Sequence, residues 1–168
     1  MKAVAVIGNP QPASRTRRAA ELLAQRLGAV CSSIELSEIG PGLLGWGDPA
    51  VAAAKERVRA ADLLVIACPT YKATYTGLLK LFLDQFDGGT GLAGQVVIPL
   101  MLGAGPGHAL APELTLKPVL VELGATCPTA SLYLIDKTFE SDGAIDRWVE
   151  RWGSVVERNV SSELTAAR

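Results

Sequence analysis

Three uninterrupted apolar runs, separated by amphipathic segments, constrain this chain more than any other feature of its sequence. The runs lie within residues 3–8 (AVAVIG), 62–67 (DLLVIA) and 95–101 (QVVIPLM), where the only polar residues, Asp62 and Gln95, stand at the start of their segments. Runs that do not alternate apolar with polar residues are typical of strands buried on both faces of a parallel sheet. Two weaker strands are predicted at 30–36 and 131–135, with helical spacing between the strands. This order predicts a three-layer α/β/α sandwich around a five-stranded parallel sheet.

The helices are predicted from their capping residues and from apolar spacing. Ser14 is a candidate N-cap, and Asp48-Pro49 combines a capping residue with proline at the first helical position. Pro112 should kink or interrupt the helix that follows the fourth strand. The predicted helices cover residues 14–27, 48–60, 77–86, about 108–123 and 142–158.

The chain has 168 residues, of which 49% are apolar and 20% are charged. This length and composition fit one folded domain. We assign residues 1–158 to that domain and expect residues 159–168 to form a frayed C-terminal tail.

The charge balance and apolar pattern exclude several classes of protein. Sixteen Lys and Arg against seventeen Asp and Glu give a formal charge of −1, so no global basic field favours nucleic acid. No apolar stretch approaches the length of a membrane span, and no signal peptide is recognisable. Three cysteines without a CxxC pair fit a reducing compartment. We therefore predict a cytoplasmic protein that binds neither nucleic acid nor membrane.

The single histidine limits the possible chemistry further. Zinc sites with two or three histidines cannot form within one chain, so no metal site is predicted. His108 could serve as a general base, but no Ser or Cys nucleophile motif accompanies it, and a capping or interface role is the simpler interpretation. Cys68 is interpreted as a buried structural thiol. We assign no catalytic side chain.

A parallel sheet binds its ligands beyond the carboxyl ends of its strands. Three unusual loops follow strands and should meet there: residues 9–14, 68–76 and 102–107. Ser14, Arg15 and Thr16 would place two hydroxyls and a cation at a helix N-terminus, which suits a phosphate. A capped surface helix with solvated arginines explains the same residues equally well.

The other two loops allow two interpretations each. Tyr71, Lys72 and Tyr75 could border a flat ring, or the tyrosines could pack on the core or at a subunit interface. Residues 103–108 (GAGPGH) contain three glycines, which let the backbone approach a ligand closely. This loop is a poor match to the dinucleotide-binding GxGxxG motif, because His108 replaces the third glycine.

Residues 69–84 (PTYKATYTGLLKLFLD) resemble the P-x-Y-K-x-x-Y-x-G-x-L-K-x-x-L-D signature of NAD(P)H-dependent FMN reductases. Within that family, the chain looks closest to the FMN reductases of alkanesulfonate utilisation. Residues 8–16 are similar to the family's G-S-x-R-x-x-S-R-S phosphate loop, and residues 103–108 and 116–120 are similar to its fourth-strand loop and helix. The resemblance covers residues 1–136.

The resemblance implies a flavodoxin-like fold with strand order 2-1-3-4-5 and FMN at the carboxyl edge of the sheet. It implies that NADPH or NADH donates a hydride to FMN, and that the subunits form a homodimer or homotetramer with Tyr75 near a partner. The implied cofactor-binding residues belong to three groups: the phosphate loop, the ring and ribityl border, and the polar ring edge. They are Asn9, Gln11, Ser14, Arg15 and Thr16; Pro69, Thr70, Tyr71 and Lys72; and Gly103, Ala104 and Gly105.

The chain departs from the family pattern at two places. Asn9 and Gln11 stand where the pattern has Ser and Arg, so one phosphate-binding charge is missing and Arg15 or Arg17 would have to compensate. Leu114 stands where the alkanesulfonate branch has an inserted Tyr in a kinked interface helix.

The predicted function is therefore an NAD(P)H-dependent FMN reductase that supplies reduced FMN to a partner monooxygenase. One alternative is a related enzyme that retains FMN and reduces quinones or azo dyes. A flavodoxin-type electron carrier is a further alternative, although the chain lacks the acidic surface and the T-x-T-G-x-T loop of such carriers. A flavin-fold protein without catalysis is the last.

Overall fold

The computed structural model describes residues 1–166 of the chain. Its sheet has five strands in the order β2-β1-β3-β4-β5, and every neighbouring pair is parallel. This confirms the predicted flavodoxin-like architecture. The strands are β1 (Lys2–Ile7), β2 (Val30–Glu35), β3 (Leu63–Pro69), β4 (Val97–Gly103) and β5 (Leu132–Ile135).

Helices cover both faces of this sheet. On one face lie α1 (Arg15–Arg26) and α5 (Ala144–Ala166); on the other lie α2 (Pro49–Arg59), α3 (Gly77–Leu83) and α4 (Lys117–Glu122). Short 3-10 turns occupy residues 36–38, 40–44 and 106–108.

Strand β1, which pairs with β2 on one side and β3 on the other, shows why the apolar runs are continuous. Ala3, Ala5 and Ile7 belong to the core beneath α1 and α5, whereas Val4 and Val6 belong to the core on the opposite face. All five residues are buried. Because successive side chains of a strand point to opposite faces, a strand covered on both sides needs apolar residues at every position.

The predicted helix starts are confirmed where side chains cap them. The Ser14 hydroxyl accepts the N–H of Arg17 at 3.3 Å, and Asp48 accepts the N–H groups of Ala50 and Val51. Helix α3 ends at Leu83, three residues before the predicted end. The chain then turns tightly.

Pro112 interrupts its helix as predicted. Residues Pro112–Leu116 form a wide π turn that leads directly into α4. Proline lacks the N–H that would continue regular helical bonding, and the Thr115 hydroxyl donates to the carbonyl of Ala111 at 2.6 Å.

The prediction of a frayed tail from residue 159 is wrong for the residues that the structure describes. Helix α5 continues to Ala166, and Val160 is buried against the sheet. A continued amphipathic stripe explains the extension, because Val156 and Val160 lie four residues apart and both join the core. Residues 167–168 of the expected tail lie outside the described part of the chain.

Between residues 1 and 166, no helix combines the length and hydrophobicity needed to cross a bilayer.

Trp148 and Trp152 of α5 both pack on the core, and the indole N–H of Trp148 donates to the carbonyl of Ala130 at 3.0 Å.

Candidate functional site

A cavity of about 530 Å³ lies at the carboxyl edge of the sheet. Its volume falls within the range of about 300–1,000 Å³ that is usual for small-molecule sites. The loops after β1, β3 and β4 meet here, as predicted. The lining residues are Asn9, Gln11, Ser14, Arg15, Thr16, Pro69, Thr70, Tyr71, Leu102, Gly103, Ala104 and Asp136.

Ten of the twelve predicted site residues line this cavity. Lys72 and Gly105 do not line it, although they are close in sequence to residues that do. Leu102 and Asp136 line the cavity without having been predicted. For Leu102, its place at the end of a buried strand was a usable signal. Asp136 follows the last strand, and no sequence motif marks that position as part of a site.

The position of Lys72 follows from a tight turn. Tyr71 and Thr74 exchange two backbone hydrogen bonds, with N–O distances of 2.9 and 3.2 Å. The residues between them, Lys72 and Ala73, have φ values of 51° and 68°. Two successive positive φ angles are the mark of a type I′ turn, in which glycine and asparagine are favoured. Lys72 thus lies exposed at the tip of the turn, outside the cavity lining.

The glycine-rich loop owes one glycine to internal packing. A Cβ on Gly103 would lie 1.8 Å from the hydroxyl of Tyr133, which crosses this position to donate to the carbonyl of Gly105 at 2.7 Å. Gly105 itself has open space around it. The need for glycine at position 103 is therefore explained by the Tyr133 side chain, which fills the space that a Cβ would occupy.

Buried hydrogen bonds shape the first loop. The Asn9 side chain donates to the Thr16 hydroxyl at 3.1 Å and accepts the N–H of Gln11 at 2.9 Å. Both Asn9 and Thr16 are buried. Asn9 therefore bridges the start of the loop and the first turn of α1, which fixes the loop before any ligand arrives.

Glu35, the last residue of β2, holds the far side of the same loop. Its Oε1 accepts the N–H of Ala13 at 3.0 Å, and its carboxylate is buried. Ala13 has a φ of 51°, a left-handed conformation that is unfavourable for alanine. The hydrogen bond to Glu35 thus supports a strained position next to the α1 N-terminus.

Arg17 is engaged away from the cavity. Its Nε lies 2.7 Å from Glu21, and its Nη1 lies 3.5 Å from Glu35. The hydrogen bond and charge of Glu21 raise the pKa of Arg17. Burial opposes ionisation of Glu21, but hydrogen bonds from Arg17 and Ser33, together with the positive charges of Arg17 and Arg18, lower the pKa of Glu21. These contacts pair the positive charge of Arg17 with the carboxylates of Glu21 and Glu35.

Arg15 is the basic side chain that lines the cavity. Its Nη1 lies 3.2 Å from Oδ2 of Asp136, and the Arg15 side chain is 64% exposed. Of the two arginines that could compensate for Gln11, the structure therefore brings Arg15 and not Arg17 to the site.

Three side chains that the sequence singled out, Cys68, His108 and Tyr75, do not line the cavity. Burial raises the pKa of Cys68 to about 12, so its thiol stays protonated and unreactive at neutral pH, as predicted. His108 is exposed and lies apart from the cavity lining. Tyr75 is half-buried and packs against the core.

Comparison with known proteins agrees with the geometry. Residues 1–140 match the family model described as NADPH-dependent FMN reductase. The chain is 34% identical over 131 residues to an FMN reductase (NADPH) of Escherichia coli K12, covering 74% of this chain and 68% of that protein. It is 27% identical over 156 residues to the NADH-dependent FMN reductase SfnF of Pseudomonas putida, covering 87% and 83% of the two chains.

A solved structure extends the likeness to three dimensions. The apo form of an NADH:FMN oxidoreductase superposes with a TM-score of 0.79 at 28% identity, covering 96% of this chain and 89% of that one. The family match spans β1 to β5, including every strand that borders the cavity. The chain therefore belongs to the NADPH-dependent FMN reductase family and is an NAD(P)H:FMN oxidoreductase.

Proposed function

We propose that FMN binds in the cavity with its phosphate at the N-terminus of α1. The single observation that carries this placement is the meeting of Ser14, Arg15 and Thr16 at that helix end within a cavity of about 530 Å³. The first-turn N–H groups of a helix lack intrahelical acceptors and carry partial positive charge, which suits a phosphate. Asn9 and Gln11 shape the loop around the phosphate.

The flavin ring lies between the second and third loops in this proposal. Pro69, Thr70 and Tyr71 border the ring and ribityl chain, and Gly103 and Ala104 lie at the polar ring edge. The Thr70 hydroxyl is buried without a partner, which supports a polar ligand group beside it. Lys72 and Gly105 assist from outside the lining, through the turn at residues 71–74 and the Tyr133 contact.

FMN supplies the redox chemistry when bound, by accepting a hydride from the nicotinamide of NADPH or NADH. The residues of this chain bind and orient the two ligands, and no side chain is needed as an acid or base. Holding donor and acceptor together supplies the proximity on which the rate depends.

The proposed acceptor of the product is a partner monooxygenase that uses diffusible reduced FMN, in the cytoplasm. This role requires FMN to exchange, and the exposed Arg15 at the cavity fits a ligand that comes and goes.

We also propose a homodimer or homotetramer. Leu110, Leu114 and Val121 have more than half of their surface exposed, at 65%, 66% and 53%, near the π turn. Tyr71 of the cavity lining is 49% exposed. Large apolar side chains left exposed in one region favour burial against another copy.

The first experiment compares purified protein with and without added FMN. Visible flavin absorbance is recorded, and then oxidation of NADPH and of NADH is followed. Colourless protein that oxidises nicotinamide only with added FMN supports a reductase that uses flavin as a substrate. Yellow protein that is indifferent to added FMN and reduces quinones or azo dyes supports the alternative with retained flavin. Failure to bind flavin contradicts the proposed site.

A matched pair of variants tests where the phosphate binds. Arg15→Gln should raise the FMN dissociation constant about ten-fold, since a charged phosphate contact is lost. Arg18→Gln removes an arginine from the same helical turn, where it lies 3.4 Å from Glu140 outside the cavity, and should leave FMN affinity unchanged. Equal effects of the two variants would contradict the placement.

The assembly is tested by light scattering after size-exclusion chromatography. Leu114→Gln should shift the protein towards the monomer, whereas Leu164→Gln, at another exposed leucine on α5, should not. A wild-type protein that is monomeric at all concentrations contradicts the proposal.

A further inference from the structure

Asp136 places a negative charge in the cavity. The resemblance to the family's phosphate loop does not predict a carboxylate there. It follows β5 directly, and its N–H donates to the carbonyl of Gly103 at 2.9 Å. Its Oδ2 lies 3.2 Å from Nη1 of Arg15, a residue 121 positions away in the sequence. The backbone bond fixes the carboxylate at the cavity wall, beside the cation proposed to meet the phosphate.

The charge balance of the cavity makes this position important. Arg15 is the one basic residue and Asp136 the one acidic residue among the lining residues of the described chain. Arg17 adds no free charge, because Glu21 and Glu35 engage it. A phosphate monoester, with a charge of about −1.5 to −2 at neutral pH, therefore meets a cation that is already paired.

The position of the Asp136 carboxylate is also energetically unfavourable. Oδ1 of Asp136 is buried and has no hydrogen-bond partner. A buried oxygen without a partner loses its hydration without compensation, so such groups are rare outside sites of function or strain.

We propose that Asp136 sets the affinity of the site for the FMN phosphate by holding Arg15 and by repelling the phosphate, so that FMN exchanges rather than stays bound. Asp136 thus selects against tight binding of the phosphorylated flavin specifically. The proposal rests on the proposed placement of the phosphate at the α1 N-terminus.

The test measures dissociation constants for FMN and for riboflavin, which lacks the phosphate, by quenching of flavin fluorescence. Asp136→Asn should tighten FMN binding about three- to ten-fold and slow FMN release, with riboflavin affinity unchanged. Asp136→Ala should act in the same direction, which separates loss of the charge from a new hydrogen bond donated by the asparagine. Raised ionic strength should reduce the difference between wild type and Asp136→Asn.

Glu140→Gln is the matched control, because it removes a carboxylate from the same connection after β5. Glu140 lies 3.4 Å from Arg18 and does not line the cavity, so its removal should change neither affinity. Thermal unfolding of each variant establishes that it is folded.

The outcomes separate this proposal from the one on which it rests. If Arg15→Gln weakens FMN binding but neither Asp136 variant tightens it, the role of Asp136 is wrong and the phosphate site stands. If Arg15→Gln leaves FMN binding unchanged, the phosphate site is wrong, and the role of Asp136 is wrong with it. Equal tightening of FMN and riboflavin by Asp136→Asn also overturns the proposal, because the effect then does not involve the phosphate.

Discussion

The two ends of the cavity are built in different ways. At the end proposed for the phosphate, the loop at residues 9–14 is tied to β2 and α1 by the buried side chains of Glu35, Asn9 and Thr16. At the end proposed for the flavin ring, the turn at residues 71–74 is held by its own backbone, and Tyr71 is half exposed.

This difference means that the phosphate end of the site is more tightly constrained than the ring end. Hydrogen bonds made by buried polar side chains fix the geometry that a small anion requires. The ring end has fewer internal constraints and adjoins the exposed apolar side chains near the π turn. A flat apolar ligand, or another subunit, can order that end by contact alone.

The largest expected effect comes from filling space at the phosphate end. A Cβ on Gly8 would lie 2.7 Å from Cβ of Leu79 and 3.2 Å from Cβ of Cys68, neither of which can move without moving backbone. Gly8→Ala should lower the free energy of unfolding by about 2–3 kcal/mol. Gly105→Ala at the ring end, where nothing lies within 4 Å, should change it by less than about 0.5 kcal/mol. Urea unfolding of both variants checks the contrast, and equal losses would contradict it.

Thr76 joins the two ends and should have the next largest effect. Its buried hydroxyl donates to the carbonyl of Gly8 at 2.6 Å and accepts the N–H of Leu79 at the start of α3. Thr76→Val keeps the shape but removes both bonds, and should cost about 2 kcal/mol in urea unfolding. Thr76→Ser keeps the hydroxyl and should retain most of the stability. A valine variant as stable as the serine variant would show that the link is unimportant.

Releasing the loop from Glu35 should act mainly on ligand binding. Glu35→Ala removes the acceptor for the N–H of Ala13 and should weaken FMN binding about five-fold, corresponding to one hydrogen bond of about 1 kcal/mol. Glu35→Gln keeps an acceptor oxygen and should bind FMN nearly as the wild type does. Fluorescence titration compares the two, and an equal loss in both would assign the effect to the charge instead.

The smallest expected effect is a gain of stability at the ring end. Ala73 has a φ of 68°, so Ala73→Gly should raise the free energy of unfolding by about 0.5 kcal/mol, the relief of strain exceeding the entropy lost by glycine. Ala52→Gly, at an exposed position within α2, should instead lower it by about 1 kcal/mol. Thermal or urea unfolding measures the change in the free energy of unfolding for both variants. Destabilisation by Ala73→Gly would mean that the turn is not strained.

Most of the fold and much of the site were predictable because they depend on local patterns. The continuous apolar runs identified buried strands, and Ser14 and Asp48 marked helix starts. The missed features depend on contacts between distant residues. The extension of α5 required the packing of Val160, and the need for glycine at position 103 required the path of Tyr133.

The sequence by itself determined the order of strands and helices, the edge of the sheet where the site lies, and most of the residues that line it. Apolar periodicity and capping act over a few residues, so they can be read along the chain. Only the tertiary structure decided that Arg15 and not Arg17 faces the cavity, and that Asp136 lies beside it. Charged side chains pair with whichever opposite charge the fold brings near, and no local pattern records that distance.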